Sequence, residues 1–188
     1  MKVPVPHTWI DGLWSAGDAN KYIRDVAEFF MNVPMCIVRR DKRSLSLRGT
    51  IIDLFEFDTV IHDNDAIYEN SPSGTLVPQT PGVYLINWTL QWKITSGAVA
   101  DSLQHWSHIK HFDISKTLLG EYYLYVNEFL STDETNTSQL ALPFSAGDYI
   151  ELRVTTLGAS DDEFKICGYD TTNGEYGSQL EIRWIRPL

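Results

Sequence analysis

Residues 83–94 read VYLINWTLQWKI, and the apolar side chains Tyr84, Ile86, Trp88, Leu90, Trp92 and Ile94 fall on every second position. On a helix these six would scatter around the axis; on an extended chain they line a single face. Asn87, Thr89, Gln91 and Lys93 line the other face, so the segment is a strand about 40 Å long with one side in a core. Pro81-Gly82 supplies the turn that opens it. A strand this long needs a sheet beside it and a second layer over its apolar face, which commits the chain to a β domain.

Two further segments repeat the period. YIELRVT places Ile150, Leu152 and Val154 on one face after the Ala146-Gly147-Asp148 turn, and QLEIRWI places Leu180, Ile182 and Trp184 on one face at the C-terminus. IIDLFEF, EYYLYVNEFL, EFKIC and QHWSHIKHF are further strand candidates with mixed patterning, and STDETNTS and GYDTTNGEYGS read as polar loops. Seven or eight strands with Gly- and Asn-rich turns and no intervening helices give an all-β fold class, a sandwich, barrel or jelly roll.

Residues 1–34 are of another kind. In SAGDANKYIRDVAEFFMNVP, Ser15 or Asp18 can cap a helix, Tyr22, Ile23, Val26, Phe29 and Phe30 recur at helical spacing, and Pro34 ends the pattern. The aromatic stripe of this four-turn helix must be buried, either on its own domain or on a partner. The expected organisation is an N-terminal docking segment (1–34), a basic connector or first strand (35–49), and the main β domain (50–188).

Charge separates the same regions. Of the formal charge of −10, residues 1–49 carry eight Lys/Arg against five Asp/Glu and residues 50–188 carry seven against twenty. An acidic body repels phosphates, and the basic cluster Arg39, Arg40, Lys42, Arg43 and Arg48 lacks the interleaved aromatics of a nucleic-acid groove, so no nucleic-acid partner is expected. No run approaches the ~18 apolar residues of a membrane span, and MKVPVPHTW has no apolar signal core; synthesis in the cytoplasm without membrane insertion is expected. Cys36 and Cys167 are too few and too far apart for a disulfide framework and are expected to be free thiols.

The sequence offers little chemistry. It carries no nucleophile elbow, P-loop, dinucleotide fingerprint or HExxH pattern. His105, His108 and His111 could ligate a metal only outside a strand, because within one His108 points opposite to the other two. His62-Asp63-Asn64-Asp65 with Glu69 has oxygen donors suited to calcium but lacks the EF-hand spacing and turn glycine, so a polar loop is expected. Asp161-Asp162-Glu163 lies in one acidic stretch, whereas acid/base pairs need separate environments. No enzymatic activity, cofactor or metal is expected.

Two resemblances are carried by particular residues. TWIDGLWSAGDANKYIRDVAEFFMNVP, through Trp9, Asp11, Gly12, Asn20, Arg24, Asp25 and Pro34, resembles the opening of many small structural proteins of tailed phages. That resemblance implies a segment that fastens the chain to a virion, with Trp9, Asp11, Gly12, Trp14, Asn20, Tyr22, Ile23, Phe29 and Phe30 as docking residues. The remainder is similar to the globular heads of the complement and tumour-necrosis-factor (TNF) superfamily. The matching residues are Phe57, Asp58, Tyr68, Pro81, Gly82, Val83, Tyr84, Gly147, Asp148 and the aromatic C-terminal strand. This second resemblance implies an all-β, single jelly-roll sandwich that associates as a homotrimer through apolar strand faces, with Tyr84, Ile86, Trp88, Leu90 and Trp92 as the core or trimer face.

Together they give the expectation of a non-enzymatic phage virion structural protein: a trimeric capsid decoration, head fibre or minor tail component whose partners are itself and other virion proteins. A receptor-binding tip that takes a host-surface glycan on Tyr122, Tyr123, Tyr125 or Tyr169 is the first rival. A jelly-roll hydrolase is the second.

Overall fold

In the computed structural model, residues 16–41, 45–48, 51–68, 74–94, 104–128, 133–157, 163–166 and 177–188 are described. One helix, α1 (Ala16–Met31), precedes the strands β1 (Met35–Arg39), β2 (Leu45–Arg48), β3 (Ile51–Leu54), β4 (Thr59–Asp63), β5 (Thr75–Leu76) and β6 (Gly82–Ile94). They are followed by β7 (Gln104–Phe112), β8 (Leu118–Glu128), β9 (Asp133–Phe144), β10 (Tyr149–Leu157), β11 (Glu163–Ile166) and β12 (Gln179–Arg186).

The strands form two antiparallel sheets. One has seven strands, ordered β2-β11-β6-β12-β1-β4, with β9 on the free edge of β6; the other is ordered β3-β10-β7-β8, with β5 also paired to β10. Successive strands cross from one sheet to the other at every step from β2 to β7 and again from β8 to β11, which makes the sandwich a jelly roll. Residues 35–39 and 45–48 are strands of the seven-stranded sheet.

The long alternating segment is the axis of that sheet. β6 is paired from Gly82 to Lys93 with β9, and along its other edge with β12 and then β11. Tyr84, Ile86, Trp88, Leu90 and Trp92 are all sealed from solvent between the sheets. They pack with Ile150, Leu152 and Val154 of β10, Ile109 of β7, and Leu180 and Ile182 of β12. Burial of side chains this size contributes about 1.5–3 kcal/mol each. A hydrogen bond also crosses between the layers here, from Trp88 Nε1 to the buried Ser107 Oγ at 3.0 Å.

Gly82 has a steric reason. A Cβ there would collide with the indole Nε1 of Trp184, which bonds the Pro81 carbonyl at 3.3 Å. The start of β6 and the end of β12 therefore close on one another.

The structure corrects the sequence reading in two places. Twelve strands are present among the described residues, because β2, β4 and β5, only two to five residues long, carry too few positions to show a period, and β9 begins in a polar stretch. STDETNTS is not a loop from Asp133 onward. It is the first half of β9, paired in register with β6 from Asp133↔Lys93 to Phe144↔Gly82. Its polar side chains are accommodated by others: Thr137 Oγ1 lies 3.1 Å from Thr89 Oγ1, Gln139 Nε2 donates to Asn87 Oδ1 at 2.8 Å, and Asn136 reaches the His105 ring at 2.8 Å.

Candidate functional site

Of the docking residues, Trp9, Asp11, Gly12 and Trp14 lie outside the described residues. The others sit on α1, whose end is fixed to the sandwich. Pro34 accepts a hydrogen bond from the Trp184 backbone N–H at 2.9 Å, Asn64 Nδ2 donates to the Val33 carbonyl at 2.9 Å, and Met35 N–H donates to Asn64 Oδ1 at 2.7 Å. Phe29 is buried and meets the Trp184 ring edge-on at 4.9 Å. Tyr22 is half-buried and Asn20 is exposed.

The rest of the apolar stripe is left open. Ile23 is 65%, Phe30 68% and Met31 74% exposed, although Phe30 touches Phe29 edge-on at 6.0 Å. A 16-residue helix that buries one aromatic and presents three large apolar groups to water has an unfinished interface.

The second surface is the solvent side of the seven-stranded sheet. The trimer or core residues named from sequence, Tyr84 to Trp92, point into the sandwich, so a neighbour would meet the opposite side of β6: Val83, Leu85, Asn87, Thr89 and Gln91. This face has two halves. Met35, Arg183, Leu85 and Ala141 lie side by side on β1, β12, β6 and β9, and beyond them Val83 is beside Pro143. The half around Asn87, Thr89, Thr137 and Gln139 is polar and internally bonded.

The candidate chemical groups are used structurally. Asp63 accepts the Ile67 and Tyr68 backbone N–H groups at 2.9 and 3.0 Å, and Asp65 accepts that of Thr80 at 3.1 Å. The HDND stretch is thus the end of β4 and the bend after it, whose carboxylates hold backbone. Arg39 pairs with Asp41, and Arg40 bonds the Glu56 carbonyl at 2.7 Å while lying over the Phe55 ring. Cys36 is buried, and that burial, reinforced by the Asp63 carboxylate, pushes its thiol up to about 12, which keeps it protonated and inert.

β7 is a strand, so its histidines diverge. His105 and His111 point into the core and His108 to the opposite face, and all three are buried. Burial lowers His105 to about 4 and His108 also to about 4; for His108, Glu121 at 3.2 Å opposes the shift while Lys110 and Arg153 add to it. Burial also lowers His111, against the pull of Asp148. Among the described residues no three His, Cys, Asp or Glu side chains converge as a metal-ligand set.

No family model matches this chain, and no curated protein sequence matches it. Solved structures do. The Eiger TNF structure from S. frugiperda superposes with a TM-score of 0.56 at 13% identity, covering 84% of this chain and 95% of that one. The fold is a TNF/C1q-like jelly roll. Murine APRIL at pH 8.0 gives a TM-score of 0.53 at 8% identity, with 81% and 98% covered. The globular domain of zebrafish complement 1qA gives 0.50 at 12% identity, with 83% and 99% covered.

Within the TNF/C1q-like frame, the residues that carried the sequence resemblance have visible work. Tyr68 donates to the Phe57 carbonyl at 2.6 Å and Tyr84 to the Thr80 carbonyl at 2.7 Å. Asp148 accepts the Ser145 N–H at 2.7 Å across a turn in which Gly147 has φ +87°. Among the rings proposed for a glycan, Tyr122 is partly buried against the core and Tyr123 is 59% exposed beside His108. The Tyr125 side chain and Tyr169 lie outside the described residues.

Proposed function

We propose that this chain is a non-enzymatic, homotrimeric structural component of a phage virion, in which the N-terminal segment docks to another particle protein and the jelly roll faces outward. The observation that carries the reading is the open stripe Ile23, Phe30 and Met31 on a helix already fastened at its end. It lies within the stretch that resembles phage structural proteins, and its missing cover is a capsid or tail protein. Three such segments on one trimer would bind together and gain affinity through raised effective concentration.

Trimerisation is supported by the TNF/C1q-like fold and by the apolar half of the outer face around Val83, Leu85, Ala141, Pro143 and the exposed Ile185. Light scattering on the full chain is expected to return three times the 21.4 kDa chain mass. Leu85→Arg, which brings a charge to each copy of that face, is expected to shift the population to folded monomers. A monomeric wild-type chain would end the trimer model.

The virion role has its own test. Mass spectrometry of purified particles of the phage encoding the chain is expected to find it, and an Ile23→Asp/Phe30→Asp variant is expected to remain trimeric yet be missing from particles. Particles that lack the wild-type chain, or incorporate the variant equally, would refute docking through α1.

A further inference from the structure

On the five-stranded sheet, a groove of about 600 Å3 opens between the β5 segment, the β7–β8 loop and the start of β10. Its size is that of a small-ligand cleft. Tyr149 lines it and is stacked on its cross-strand neighbour Phe112, with ring centroids 5.0 Å apart and planes 14° from parallel. Beside it, Glu151 takes two hydrogen bonds from Arg153, both on Oε2 at 2.9 and 2.7 Å, which leaves Oε1 for a ligand. On the opposite rim, Gln79 gives its amide N–H to the Val77 carbonyl at 2.8 Å and keeps its amide oxygen as an acceptor.

The third wall is built to be rigid. Asp113 Oδ1 accepts the Thr117 N–H at 2.8 Å and the Ser115 hydroxyl at 2.7 Å, while Lys116 donates its N–H to the Asp113 carbonyl with φ +67°. Left-handed backbone at a residue with a side chain is a local cost that the surrounding bonds sustain. Lys116 of this turn lines the groove, and a Cβ on Gly147, in the turn between β9 and β10, would strike Ile114.

An aromatic platform, acceptors and donors of both kinds, and a local charge near balance inside an otherwise acidic body suit an uncharged ligand rich in hydroxyl groups. We infer that this groove is a binding subsite for a neutral oligosaccharide, one sugar ring lying along Tyr149 and its hydroxyls bonded by Glu151, Gln79 and Lys116. The subsite does not depend on the virion reading, and the opposite sheet remains free for self-association.

Saturation-transfer NMR on the full chain tests this with neutral tri- and tetrasaccharides built of glucose, galactose, mannose or N-acetylglucosamine units, alongside a galacturonate trimer. At least one neutral sugar is expected to receive saturation, strongest on its ring C–H protons. Tyr149→Ala is expected to weaken that binding at least tenfold. Gln79→Ala, an exposed change, is expected to weaken it several-fold with an unchanged melting temperature, which separates lost recognition from lost folding. Absence of transfer to every neutral sugar, binding that survives both substitutions, or preference for the galacturonate would each overturn the inference.

Discussion

Trp88→Ala is expected to cost about 3–5 kcal/mol of folding stability, the range for removing a large aromatic from a packed core. The indole is sealed between the sheets at the middle of β6, so no solvent can enter cheaply to fill the space. The same change strands the Ser107 hydroxyl, which sits buried on the facing sheet and bonds Trp88 Nε1. Against a typical total of about 5–15 kcal/mol, that loss is a fifth of the stability or more. Urea denaturation followed by far-UV circular dichroism measures it. Ser107→Ala, which leaves the ring in place and orphans its N–H, is expected to cost about 1–3 kcal/mol. A Trp88→Ala protein with an unchanged urea midpoint would show that β6 does not sit at the centre of the core.

Acid is expected to destabilise the fold well before most carboxylates are protonated. His105 and His108 have native values of about 4 because they are buried, whereas in the unfolded chain they return to about 6.5. Between those limits the unfolded state binds protons that the native state refuses, so stability falls as pH falls. The stabilisation is intact above pH 6.5 and gone below pH 4. At full development it amounts to about 3 kcal/mol for each histidine, and His111 shifts in the same direction. His105 faces Trp92 and Asn136; His108 faces Glu121, Lys110, Arg153 and Tyr123, and Glu121 is the one group there that resists the effect. Urea midpoints measured from pH 7.5 to 4 are expected to drop steadily, and His108→Gln is expected to flatten the curve. A midpoint that stays level from pH 7 to 4.5 would mean that these imidazoles reach solvent.

The unevenness of the sequence signal has physical causes. Period two was plain in β6, β10 and β12 because each has one face in the core and one outside it, so hydropathy alternates with geometry. β7 has the same geometry, yet its inward residues include His105, Ser107 and His111, which blurs the contrast and leaves strand and turn equally readable. The turn chemistry around Pro81-Gly82 and Ala146-Gly147-Asp148 was visible because it needs particular residue types.

What the sequence by itself determined is the β architecture, the inward faces of the central strands, and a helix ending before Pro34 whose apolar stripe needs cover. The tertiary structure decided what those residues meet. It turned Asp133–Asn136 and the residues after them into β9 by laying them along β6, and it used Asp63, Asn64 and Asp65 to tie backbone. It also divided the α1 stripe, giving Phe29 to Trp184 and leaving Ile23, Phe30 and Met31 outside. The reason is common to the first two. An apolar side chain signals burial through its own transfer free energy, whereas a polar side chain is stable in water or in a sheet depending on a partner distant in sequence, and only the folded chain supplies that partner.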